Sequence, residues 1–425
     1  MKNIRQIAIA SVLALLCSPF ATSQTVFSVV KIPGSTANTL ISINNSAQIT
    51  INSTVNGISQ VSIWSRLGGY QALGLPNTNF SGADINNSAQ IVGVGEPASS
   101  SNQQAFIWRT GTGIQWLGTL GGPLSAASGV NDAGSVVGFS YTAAQLQHAF
   151  LWNQSGGMQD LTPSLTSLGG ATATAINTSN EVVGYYFPNG SNTTTGFTWT
   201  QTGGLQNLGS SGTLAYGIND GGTVVGQTQL TNGSRHAFSY TPSTGISDLG
   251  TLGGSSSSAL GINSKGWIVG TSLTTVSGRG LQHGFLWTPT AGMQDFTVVA
   301  GLALSQQAYS VSANDFGDIA ITTGTAGYIL IPKMTGTMTS SPNPSTLGQP
   351  VTVTLTMNSI AGPPPDGETI QFFLGTKLLG IVPLKGGVAQ ITTSAVPVGP
   401  HVIQAKYVGD SNYLAYKFRV TQTVN

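Results

Sequence analysis

Three of the four histidines in this 425-residue chain, His148, His236 and His283, could hold a zinc ion if the fold brought them together. They lie 88 and 47 residues apart, and each occupies the same place in its own copy of a local pattern. Gln104, Thr195 and Gln60 stand at that place elsewhere, so a structural or hydrogen-bonding role is expected. Asp160, Asp248 and Asp295 share a second repeated place, filled elsewhere by Asn207, Trp116 or Ala72. A polysaccharide hydrolase needs two carboxylates converging on one bond, and residues at one repeat position are held apart by the repeat. Asp132, Asp220 and Asp315 sit in NDAG, NDGG and NDFG, which read as tight turns. The dense acidic loop of a calcium site is absent. Trp64, Trp108, Trp152, Trp199 and Trp287 could stack on sugars, but their repeated strand position reads as packing between units. Gly-x-Ser-x-Gly, His-Glu-x-x-His and phosphate-loop motifs are missing. No catalytic residue, metal or cofactor is expected.

The elements that position these residues come from an internal repeat. Each unit holds an Ile-Asn or Val-Asn pair, then Val-Val-Gly, then His-Ala-Phe-Leu-Trp, then Gly-Met-Gln-Asp-Leu. GVNDAGSVVG at 129–138, HAFLW at 148–152 and GMQDL at 157–161 form one copy. The marker asparagines are Asn44, Asn86, Asn131, Asn177, Asn219, Asn263 and Asn314, spaced 42, 45, 46, 42, 44 and 51 apart. A period near 45 residues suits four short strands, A to D, which is one propeller blade. The fold class expected is therefore all-β, a seven-bladed β-propeller over residues 24–333.

The first strand-like segment, TVFSVVKIPG at 25–34, has no unit of its own, and the last unit ends at GYILIP, 327–332, with no strand D. Residues 25–32 are expected to supply the outer strand of the seventh blade, burying Val26, Phe27, Val29, Val30 and Ile32 and hiding an open edge. The A–B and C–D turns have constant lengths. The B–C and D–A loops vary, and variable loops on a rigid scaffold carry function. Val94–Gln103, Tyr185–Thr194 and Thr271–Gln282 are therefore the candidate ligand face. The repeat motifs resemble the HAF repeats of bacterial extracellular proteins over about residues 25–333. That resemblance implies an extracellular protein and carries no activity or site residue with it.

Residues 334–425 change rhythm. VTVTLTM, TIQFFLG, GVAQITT, HVIQAKY and YKFRVTQTV read as strands of a two-sheet sandwich. GQPVTVTL, GETIQFF and GPHVIQAKYVGDSNY resemble the bacterial Ig-like domain of group 3, which implies a spacer or adhesive module.

Residues 1–23 read as a signal peptide: Lys2 and Arg5, a short apolar run from Ile7 to Cys17, then Ala21 and Ser23 before a cut at Gln24. Leu16 is too bulky for Cys17 to be a lipid anchor. Cys17, the single cysteine, would leave with this segment, so no disulfide or thiol chemistry is expected. Charged residues make up 6% of the chain. Residues 24–333 hold 7 basic and 10 acidic side chains and residues 334–425 hold 5 and 3, with no basic stripe, which argues against nucleic acid. The leading expectation is a secreted or cell-surface, monomeric, non-catalytic binding or scaffold protein with a glycan or protein ligand. A polysaccharide-active propeller enzyme and a purely structural envelope component are the alternatives.

Overall fold

The structure, a computed structural model, describes residues 25–35, 40–98, 102–166, 169–189, 191–209, 211–275, 280–303 and 307–425. The proposed signal peptide and its cleavage site fall outside these residues. So do the middles of the three candidate ligand loops. The described chain is almost entirely β, with one short helix, Phe296–Val299.

Seven four-stranded antiparallel sheets make up the repeat region. The third is typical, with strand A at Gly121–Val130, B at Val136–Thr142, C at Gln147–Asn153 and D at Gly157–Asp160. The fifth and sixth sheets, covering 214–248 and 253–295, touch through one bridge between Arg235 and Ser256. In the last sheet Ala308–Ala313, Ile319–Thr323 and Gly327–Pro332 are followed by the chain's own N-terminal strand, Phe27–Lys31. That strand pairs antiparallel with Gly327–Pro332, from Phe27 opposite Pro332 to Lys31 opposite Tyr328. Phe27 and Ile32 are buried and Val26 and Val30 half-buried, but Val29 is 37% exposed. Phe27, Val29 and Lys31 share one face of the strand, where Phe27 alone packs, against Trp267 and Val299, while Val30 and Ile32 pack from the other face against the first sheet.

The Val-Val-Gly motif has a steric cause. Strand A carries a β-bulge opposite this glycine in five sheets. The bulge pushes a strand A carbonyl into the space where a side chain would sit. A Cβ on Gly93, Gly138, Gly184, Gly226 or Gly270 would lie 1.9–2.1 Å from the oxygen of Ser81, Ala126, Thr172, Leu214 or Ser258. The strand C phenylalanines Phe106, Phe150, Phe197, Phe238 and Phe285, which pair with these glycines, are fully buried. The two residues before each glycine, Val-Val in three sheets and Ile-Val in two, are buried on opposite faces, as a sheet covered on both sides requires.

The C-terminal region forms two sheets. One holds Thr335–Ser341, Val351–Asn358 and Val388–Thr393, and the other Lys377–Pro383, Thr369–Leu374, Gly399–Tyr407 and Tyr416–Val424. Val353, Leu355, Ile370, Phe372, Ile403, Ala405 and Tyr407 are fully buried between them. Thr335–Ser341 and Lys377–Pro383 are strands that the sequence reading did not expect. The first is built from Thr, Ser, Gly and Met, and the second contains Gly380 at a bulge, so neither shows alternating apolar residues.

Candidate functional site

Each marker asparagine ends a strand A and begins a tight turn. Its Oδ1 accepts from the backbone N–H four residues on, at 2.9–3.0 Å in all seven copies. Its Nδ2 donates to the backbone oxygen of the next marker. The bonds run Asn44 to Asn86, Asn86 to Asn131, Asn131 to Asn177, Asn177 to Asn219, Asn219 to Asn263 and Asn263 to Asn314, at 2.8–3.3 Å. Asn314 then donates to Asn44 O at 3.1 Å. The seven side chains thus form a closed circle of bonds that run in one direction. Six of the seven are at most 5% exposed and Asn219 is half-buried. No other side chain of this length carries both the acceptor and the donor that each link needs.

The residues after the markers build a second, outer set of links. Asp132 accepts from Asn87 N and Nδ2 at 2.9 and 2.8 Å. Asp220 accepts from Thr178 N and Oγ1 at 3.0 and 2.8 Å. Asp315 accepts from Ser264 N at 2.7 Å and Asn45 Nδ2 at 2.8 Å. Burial opposes ionisation of Asp315, but these donors and the nearby Lys265 outweigh it and hold its carboxyl below the usual range.

The circle surrounds a central cavity of about 240 Å³, lined by the strand A ends and the turns. Asp84 lies in its wall and breaks the repeat: Ser42, Gly129, Ala175, Gly217, Gly261 and Ser312 occupy the same place in other units. Its carboxylate accepts from Ser42 Oγ at 2.7 Å, Ile85 N at 2.9 Å and Val130 N at 3.0 Å, tying the second strand A to both neighbours. Burial raises its pKa, partly countered by these three donors. Asp84 is not among the candidate acids that the sequence reading names. The signal available was one acid at a position otherwise filled by small residues.

The structure separates the three histidines into three sheets and joins each to the aspartate twelve residues later in the same sheet. His148 Nδ1 meets Asp160 Oδ2 at 2.7 Å, His236 meets Asp248 at 2.9 Å and His283 meets Asp295 at 2.7 Å. The other carboxylate oxygen of Asp160 and Asp295, and Oδ1 of Asp248, accept from the turn that follows. These pairs fasten strand C to the end of strand D. Trp64, Trp108, Trp152 and Trp199 are 4–6% exposed, packed among the sheets, and Trp287 is half-buried. Among the described residues no group of three His, Cys, Asp or Glu could hold a metal ion, and no helix is long and apolar enough to cross a membrane.

The Ig-like region seats its 410–414 loop on the face formed by the A–B and C–D turns. Arg66, in the first C–D turn, donates to Asp410 O and Tyr413 O. Asn412 Nδ2 donates to Asn45 O at 3.0 Å, and the Tyr413 ring meets Phe316 edge-on at 6.2 Å. Beneath this contact Asp318 is fully buried. Its Oδ2 accepts from Asn314 at 3.1 Å and its Oδ1 has no partner, as has the buried Nε of Arg66. Burial pushes the Asp318 carboxyl well above the usual range.

The opposite face, with the B–C and D–A loops, carries a cleft of about 200 Å³ between the fifth and sixth sheets, lined by Gln227, Ser257, Thr271, Ser272 and Gln282 among others.

Residues 338–425 match the family model of the bacterial Ig-like domain (group 3). No curated protein matches the chain significantly. Several solved structures resemble its fold at low identity. TolB from Acinetobacter baumannii is 14% identical, with 66% of this chain and 78% of that one covered and a TM-score of 0.39. The β-propeller domain of the trilobed protease from Pyrococcus furiosus is 8% identical, covering 70% and 95% at a TM-score of 0.49. A gluconolactonase from Xanthomonas campestris is 12% identical, covering 72% and 89% at 0.38. The described chain is all-β by its own strands, and its residues 338–425 form a bacterial Ig-like domain of group 3.

Proposed function

We propose that this chain is a non-catalytic extracellular binding or surface scaffold protein: a seven-bladed propeller of HAF-type repeats, closed by its N-terminal strand, with a glycan or protein ligand on the B–C and D–A loop face. One observation carries the choice of face. The Ig-like domain sits on the turn face, against Arg66, Asn45 and Phe316, and leaves the loop face open. The state of the acids favours binding over hydrolysis. Asp84, Asp132, Asp220 and Asp315 are all engaged by neighbouring donors that join one unit to the next. A general acid or base has to reach the proton it moves, and these carboxylates face their own scaffold.

The test is a glycan array and a pull-down from surface extracts with the mature chain, repeated with Gln227→Ala/Gln282→Ala. Loss of two neutral hydrogen bonds should weaken a loop-face ligand about tenfold. Full binding by the double variant moves the ligand off this face. Polysaccharide turnover that disappears in Asp84→Asn overturns the non-catalytic reading.

A further inference from the structure

Comparing units with one another exposes a site that loop length does not. On the turn face the third and fourth sheets part to leave a cleft of about 480 Å³. Leu151, Asn153, Gln154 and Gln159 line it from the third sheet, and Trp199 and Gln201 from the fourth. No charged side chain lines it.

The matching place between the second and third sheets is filled. There the residue after the strand C tryptophan is Arg109. Its Nη1 donates to Gln115 Oε1 at 2.7 Å, and its Nη2 would lie 3.8 Å from a Cβ on Gly134 in the next sheet. In the third sheet this residue is Asn153, too short to cross. It folds back instead, its Oδ1 accepting from Ser155 N at 3.1 Å and Gly156 N at 2.7 Å. Gln159, the counterpart of Gln115, therefore has no arginine to hold it. Among the described residues the exposed amides of Gln154, Gln159 and Gln201 make no hydrogen bond, whereas Gln206, the counterpart in the fourth sheet, donates to Gly203 O at 3.0 Å.

We propose that this cleft binds a neutral oligosaccharide built of hexose units. Planar amides offer a donor and an acceptor side by side, which suits adjacent sugar hydroxyls. Leu151 and the edge of Trp199 provide an apolar floor for the C–H face of a ring. An uncharged lining offers nothing to offset the cost of taking an ionised sugar out of water. The volume lies within the roughly 300–1,000 Å³ of small-molecule sites. The site stands apart from the loop face, so either can fail without the other.

The mature chain should be titrated with cellohexaose, maltohexaose and mannohexaose, followed by calorimetry and by the Trp199 indole N–H resonance, assigned from W199F. One of the three should bind and shift that resonance. Gln159→Ala/Gln201→Ala removes two exposed amides and should weaken binding about tenfold or more with an unchanged Tm. Asn153→Arg, which copies the plug at Arg109, should abolish binding, while Gln206→Ala should leave it intact. The proposal is overturned if none of the three binds at millimolar concentration, if the double variant binds as tightly as the parent, or if oligogalacturonate is preferred.

Discussion

Two joints hold this molecule together, and they are built on opposite terms. At the centre of the repeats every link is a neutral amide with its donors and acceptors used: Asn263, for example, gives Nδ2 to Asn314 O at 2.8 Å and takes Trp267 N and Lys265 N on Oδ1 at 2.9 and 3.1 Å. At the seam with the Ig-like domain a buried carboxyl group and the Nε of a half-buried guanidinium are each left with one polar atom unpaired, Asp318 Oδ1 and Arg66 Nε. A buried polar group without a partner costs about 1–3 kcal/mol, while a paired neutral one contributes about 0.5–1.5 kcal/mol per bond. The central joint should therefore stabilise the fold. The seam should be a place where stability was given up, and where pH reaches in.

The largest effect tests the ring itself. Removing residues 25–32 strips Phe27 and Ile32 from full burial, about 3–6 kcal/mol at roughly 1.5–3 kcal/mol each, along with the pairing to Gly327–Pro332. That approaches the roughly 5–15 kcal/mol holding a domain. Size-exclusion chromatography should show aggregates or an expanded species. A monomer with the parent Tm would mean the ring does not need this strand.

A middle-sized effect tests one link. Asn263→Ala removes the donor to Asn314 and the acceptor for two backbone N–H groups and should cost about 2–4 kcal/mol by denaturant unfolding. A loss below about 0.5 kcal/mol would show that the circle is decorative.

The smallest effect has the opposite sign and lies at the seam. Asp318 is held protonated above the usual carboxylate range by burial. Below the ordinary carboxylate pKa, folded and unfolded chains both carry the proton and nothing is lost. As pH rises past that value only the unfolded chain releases it, and stability falls until the raised folded pKa is passed. Asp318→Asn should therefore raise Tm by a few degrees at neutral pH, with the gain vanishing in acid. A gain that persists unchanged at low pH, or a loss at neutral pH, would show that Asp318 is not the source of the strain.

The contrast also explains what could be read from the sequence. The central joint repeats, so Asn44 through Asn314, the Val-Val-Gly pieces and the His-Ala-Phe-Leu-Trp strands stood out by period alone, and Phe27–Lys31 stood out as a strand without a unit. Each is a local pattern set by a bulge, a turn or a packed ring. The seam has no period. Arg66 and Asp410 are 344 residues apart, and no neighbouring residue marks either one. Asp84 and the exchange of Arg109 for Asn153 were hidden for a different reason. Asp84 and Arg109 are single departures, at places where the other units carry small or short residues such as Ser65, Asn153 and Thr200, and a period shows what recurs and not what differs. The pairing of His148, His236 and His283 with the aspartates twelve residues later joins two separate repeat positions, and no local pattern links them.

The register of the last sheet sets how the molecule would respond to being pulled. Phe27 is the first residue of its strand and Pro332 the last of its own, and they face each other in the register. Val26 O accepts from Lys333 N at 2.9 Å, just before the chain leaves for Thr335–Ser341. A load applied between residue 25 and residues 333–335 would fall first on the two bonds of Val26, to Lys333 N and to Val299 O, then on the next rung, and peel the strand as a zipper opens instead of shearing all five pairs together. A protein tethered by one end never meets that load. One held at both ends, with its N-terminus on one surface and its Ig-like domain on another, would release its ring at low force.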